Sequence, residues 1–216
     1  ATVQMLDSPT NNFSTLNPLI KGEAVMNLSE GNLKYMPNTT TRSQVCSTFS
    51  ATSGKWYWEV DCVNIDAAAW NSSFLGISSV EAASLDTSAP NDYTGTIYYY
   101  ANAGDKRIDG TDTSYGATYT DGDLIGVALN MDDSEVTFYK NNATQGTISF
   151  SGGITSASAV VASGVIGEST LSDQRMNFGQ DSSFAGNRTA QGNQDSNSIG
   201  DFYYEPPTDF LALCTS

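Results

Sequence analysis

The sequence predicts an all-β protein folded as a two-sheet antiparallel β-sandwich, and three observations carry that expectation. Residues 120–150 hold two runs in which apolar side chains alternate with small or polar ones: Ile125, Val127, Leu129 and Met131, then Val136 and Phe138. A period of two puts one apolar row on one face of a strand. Residues 55–65 repeat the pattern, with Trp58, Val60 and Cys62 on the inward face and Tyr57, Glu59, Asp61 and Val63 on a partly polar one. Elsewhere apolar residues come in short runs between clusters of Gly, Asn, Asp, Ser and Thr, and nothing reads as a long amphipathic helix.

The elements follow in chain order. Residues 1–22 predict a turn-rich lead-in that wraps the sandwich edge, anchored by Phe13, Leu16 and Leu19. Residues 22–33 predict a hairpin turning at Glu30, Gly31 and Asn32, and 43–49 a strand with Val45, Ser47 and Phe49 on one face. After the 55–65 strand come a short strand at 74–78, a long loop at 80–95, a strand at 96–101, a turn at 102–110 and a second loop at 111–120. Turns at Asp132, Asp133 and Ser134 and at Asn141 and Asn142 then make 120–150 an antiparallel meander, because Asn accepts left-handed backbone angles. Strands at 160–166 and 175–178 complete the sheets, 186–200 is polar enough for an exposed or mobile loop, and 201–216 closes the chain. With six prolines and no low-complexity block, the 216 residues read as a single domain.

Composition excludes several functions. A net charge of −15, from 24 acidic against 9 basic residues, disfavours nucleic acid and anionic membrane surfaces, which need clustered Lys and Arg. No run approaches the length of a membrane-spanning helix, and the N-terminus has neither the basic nor the apolar segment of a signal peptide. Cys46, Cys62 and Cys214 are an odd, widely spaced set that reads as three reduced thiols.

Together, two stretches resemble the SPRY (B30.2) family. Gly54, Lys55, Tyr57, Trp58, Glu59 and Val60 are similar to its Gly-Lys-x-Tyr-Trp-Glu-Val strand, and Gly122, Asp123, Ile125, Gly126 and Val127 to its Gly-Asp-x-Ile-Gly-Val strand. Phe138, Tyr139, Asn141 and Gly146 match the aromatic hairpin that follows, with Asn142 standing where the family usually has Gly, a substitution Asn tolerates best. Residues 74–78 and 176–184 look like the family's next strand and its closing Asn-Phe-Gly strand. The ending Pro206, Pro207, Phe210, Leu211, Ala212, Leu213, Cys214 and Thr215, and the opening Ser8 to Pro18, look like those of SPRY-type units in tailed-bacteriophage proteins. The resemblance implies a concanavalin A-like jelly roll. It further implies a non-enzymatic virion module, placed in the phage particle after assembly in the host cytoplasm, as a tail-fibre, receptor-binding or other surface domain that meets a host glycan or neighbouring virion subunits in a homo-oligomer. One alternative is a cellular SPRY domain that captures a partner peptide; a second is a glycan hydrolase of concanavalin-like fold.

Residue types weigh on those alternatives. The absence of histidine removes Ser-His-Asp, Cys-His and His-zinc chemistry. Glu59, Asp61 and Asn64 resemble the Glu-x-Asp-x-x-Glu strand of concanavalin-like glucanases, but an amide at Asn64 cannot protonate a leaving oxygen. Asp121, Asp123, Asn130, Asp132, Asp133 and Glu135 cluster in sequence, yet an EF-hand counted from Asn130 would have Glu135 where Gly is needed and Asn141 where a bidentate Glu is needed. Neither a metal nor another cofactor is expected. Recognition remains, and the loop-borne aromatic and basic residues are its candidates: Trp70, Tyr93, Tyr99, Lys106, Arg107 and Tyr115. In the strand, Tyr98 and Tyr100 read equally well as core, with Tyr99 covering an edge.

Overall fold

A computed structural model describes residues 11–21, 26–37, 43–65, 73–79, 94–151, 153–163 and 173–215. They form strands β1 to β17 and, among the described residues, no helix. One sheet has seven strands in the order β10 (Thr111–Ser114), β9 (Asp105–Ile108), β8 (Thr96–Tyr100), β7 (Phe74–Ser79), β14 (Ala157–Ser163), β5 (Ser43–Ala51), β2 (Leu16–Lys21). The other has eight. Seven run in the order β13 (Ala143–Ser149), β12 (Glu135–Lys140), β11 (Leu124–Asn130), β6 (Lys55–Asn64), β15 (Asp173–Asn177), β4 (Lys34–Pro37), β3 (Met26–Ser29). The eighth, β16 (Leu211–Ala212), lies parallel to the start of β6. A separate ribbon pairs β1 (Asn12–Phe13) with β17 (Cys214–Thr215), so the opening and closing segments meet.

Strand β6 sits mid-sheet because both its faces can be buried. Its register against β11 sets Val127 opposite Trp58 and Ile125 opposite Val60. The inward row of Trp58, Val60 and Cys62 joins Ile125, Leu129, Val136 and Phe138 of the meander, and meets Val45, Leu75, Ile77 and Val161 of the other sheet. Truncating Trp58, which is fully buried there, to alanine would cost about 3 to 5 kcal/mol. Turn chemistry follows the sequence: Glu30, Gly31 and Asn32 have φ of 55°, 69° and 64°, and Asn141 and Asn142 have 48° and 68°. The three cysteines are free thiols.

Four elements differ from the expectation. Residues 102–120 contain a strand pair, β9 and β10, whose polar sequence hides it; it is an edge hairpin turned by Asp109 and Gly110, both at positive φ. Tyr99 packs in the main core, whereas Tyr98 and Tyr100 join Phe74, Cys46 and Val160 on the opposite face of their sheet. Leu19 is no anchor: it is 89% exposed on the edge strand β2. Residues 186–200 are not simply an exposed loop either. Asp195 is buried there and its carboxylate accepts from the amides of Asn197, Ile199 and Ala212, which ties the segment to the closing strand.

Candidate functional site

The outward row of β6 carries the strongest concentration of chemistry, and the fold consumes it. Glu59 and Asp61 are 0% and 1% exposed, because the segment after β15 lies over them. Phe202 stacks edge-on against Tyr57 with ring centres 5.3 Å apart, in a cluster with Phe13, Ala128 and Ala212. Both oxygens of Glu59 are used: Oε1 accepts from the Tyr204 amide at 2.8 Å and the Tyr57 hydroxyl at 3.3 Å, Oε2 from the Tyr203 amide at 2.9 Å and Asn177 Nδ2 at 3.2 Å. Burial pushes this carboxyl up to about 7, against the downward pull of those donors. Asp61 takes Arg188 on Oδ1 and Asn187 Nδ2 on Oδ2. Both carboxylates are thereby closed off from solvent.

The acidic residues of the meander are spent on turns. Asp121 accepts from the Ile65 amide, Asp123 from the Thr120 amide and Asn141 Nδ2, with Lys140 Nζ 3.1 Å away. At the far end of β11, Asp132 accepts from the Gly54 amide and Asp133 from Asn130. Each of these carboxylates therefore accepts from a backbone or side-chain amide.

The loop candidates fare unequally. Tyr99 is buried, and its hydroxyl donates to the Ala117 carbonyl, so it is a core residue and not a contact surface. Arg107 is only 9% exposed; its Nε and Nη2 hold Asp112 at 2.6 and 3.0 Å across the β9–β10 hairpin, and its guanidinium lies over Phe74. Tyr115 packs on Tyr99 and Phe138 and donates to the Gly146 carbonyl, while Lys106 sits 5.8 Å over its ring. Trp70 and Tyr93 lie outside the described residues.

An open concavity occurs instead where three distant pieces of chain meet. The β3–β4 turn brings Glu30 and Leu33, β15 brings Arg175 and Met176, and the turn after it brings Asp181, Phe184 and Ala185, around a pocket of about 210 Å³. The Met176 amide donates to the Leu33 carbonyl, which fixes turn to strand. Asp181 shapes the third wall by accepting from the amides of Ser183 and Ala185, and Phe184 and Ala185 take φ of 51° and 59°. Arg175 Nη1 donates to the Phe184 carbonyl and lies 3.5 Å from Glu30. The floor is thus apolar and the rim charged. Sequence reasoning found the Glu30 turn and the strand at 175–178 but not their meeting, since nothing local marks a left-handed Phe184. A second groove, of about 330 Å³ beside Trp56, Phe49 and Cys214, has no charged side chain among the described residues of its lining.

No curated protein matches this sequence significantly. Solved structures do resemble the fold. The SPRY domain of human HERC1 superposes with a TM-score of 0.63 at 17% identity, covering 74% of this chain and 96% of that one. A second human SPRY domain gives 0.53 at 14% identity, covering 70% and 93%. Stonustoxin gives 0.56 at 17%, with 76% of this chain matched to 27% of that one. The family model described as the SPRY domain matches residues 55–181, from the start of β6 to the pocket residue Asp181, and the chain belongs to that family.

Proposed function

We propose that this SPRY domain is a protein-interaction module that captures an extended segment of a partner protein by seating one apolar side chain between Leu33, Met176 and Phe184. The pocket carries the reading. Its volume of about 210 Å³ falls below the roughly 300 to 1,000 Å³ of sites that enclose a whole small molecule. It suits a single large side chain, and interface energy concentrates in a few such buried anchors. The non-enzymatic side of the proposal is supported by the burial of Glu59 and Asp61 and by the lack of histidine. A virion setting, with its glycan or subunit contacts, rests on the opening and closing segments alone and gains no support from the comparisons, so the cellular peptide-binding alternative is preferred. A contribution from Trp70 and Tyr93 is likewise proposed from sequence only.

The test is selection of peptides from a random display library on the immobilised domain, followed by binding curves on the parent and on Ala185→Phe. Ala185 is exposed at the pocket wall, so the larger ring blocks the mouth without emptying the core. The enriched peptides should lose about 1 to 3 kcal/mol of affinity for the variant. Equal binding to both proteins, or no enrichment at all, overturns the proposal.

A further inference from the structure

Resting on that pocket, we infer that the captured segment is cationic, with Lys or Arg flanking the apolar anchor. Among the described residues, the rim and its support hold three carboxylates, Glu30, Asp173 and Asp181, against two cations, Lys34 and Arg175. Both cations are already engaged. Lys34 holds Asp173 at 2.9 Å, and Arg175 is shared among the Phe184 carbonyl, Glu30 at 3.5 Å and Asp173 at 3.7 Å. Asp181 has only amide partners among the described residues, and no basic side chain pairs with it there. The Glu30 side chain is also the more accessible partner of its ion pair, 32% exposed against 14% for Arg175.

An incoming ammonium or guanidinium group therefore meets carboxylates that still lack full compensation, whereas an incoming carboxylate meets a guanidinium that is largely buried and already shared between Glu30 and Asp173. The whole domain acts in the same direction. A net charge of −15 attracts basic segments over a Debye length and repels acidic ones, which affects encounter rate and selection more than the closed contact.

The experiment compares short synthetic peptides that share one central Leu and differ in their flanks, Lys and Arg, Ser, or Asp and Glu. Fluorescence anisotropy is read at low and physiological salt on the parent, Glu30→Gln and Ala185→Phe. The basic peptide should bind the parent at least about five-fold tighter than the acidic one, as expected for one or two partly exposed pairs. Salt and Glu30→Gln should each shrink that ratio, and Ala185→Phe should weaken every peptide. Equal or tighter binding of the acidic or neutral peptide, with Ala185→Phe still blocking all three, overturns the charge preference and leaves the pocket reading standing. Binding that ignores Ala185→Phe, or no binding by any peptide, overturns both.

Discussion

Arg188 places Nε and Nη2 on a single oxygen of Asp61, at 2.8 and 2.6 Å, from a position 127 residues further along the chain. Asp61 has almost no exposure, and the same guanidinium also donates to the Gly122 carbonyl and lies over the Tyr203 ring. This contact pins the segment after β15 across the outer face of the eight-stranded sheet.

Arg188→Ala strands the Asp61 charge in a buried site. Breaking one partner of a buried pair costs about 3 to 5 kcal/mol, and the partial exposure of Arg188 places this one at the lower end. Urea denaturation should show that loss, and native-state hydrogen exchange should show lost protection at the Tyr203 and Tyr204 amides. Adding Asp61→Asn to Arg188→Ala should recover part of the stability. Parent-like stability of the single variant would mean that the pair does not hold the segment.

Gly76 faces the backbone of β8 so closely that a β-carbon would lie 1.9 Å from the Ile97 carbonyl oxygen and 2.9 Å from its carbon. Both atoms belong to a paired strand and cannot rotate away. Gly76→Ala should therefore lie at or above the roughly 1 to 3 kcal/mol typical of overpacking. Gly153→Ala, whose added methyl meets nothing within 4 Å, is the control and should melt like the parent. Equal melting temperatures for the two would refute the close approach of β7 to β8.

Much of this fold is legible in the sequence because burial on one face leaves a period of two. The row of Trp58, Val60 and Cys62 and the row of Ile125, Val127 and Leu129 could face only a core, and they do. Where both faces are buried the period carries no sign. Tyr98, Tyr99 and Tyr100 are equally aromatic, so only the register with β7, which sets Leu75 opposite Tyr99, decides that Tyr99 turns inward. The β9–β10 hairpin escaped for the opposite reason: its residues are polar, and the Arg107–Asp112 pair that braces it is visible only once the strands are aligned. Glu59 and Asp61 read correctly as the polar face of β6, yet their burial depends on Arg188, Tyr203 and Tyr204, more than 120 positions away. The pocket is the least legible feature, because Leu33 and Phe184 are joined by topology alone.

Glu59 makes stability depend on pH in a defined direction. Burial raises its pKa from the ordinary 4.5 to about 7, and its neighbour Tyr57, raised well above its own ordinary value, stays neutral throughout that range. Between those two pH values the native state binds more protons than the unfolded chain, so stability falls as pH rises. The contribution is fully present below 4.5 and is lost as pH passes through 7. Its ceiling is on the order of 3 kcal/mol, since each pH step of one between the two values is worth about 1.4 kcal/mol. A proton on Oε1 has a place to go, because the Tyr57 hydroxyl can turn from donor to acceptor. Glu59→Gln removes the titration while keeping the shape. Denaturation of parent and variant across this range should give curves that converge or cross, with the parent losing stability toward neutral pH relative to Glu59→Gln. The general repulsion of an acidic domain is common to both proteins and cancels in the difference. If the two curves run parallel from pH 4.5 to 7, Glu59 is ionised in the native state throughout and its four donors outweigh its burial.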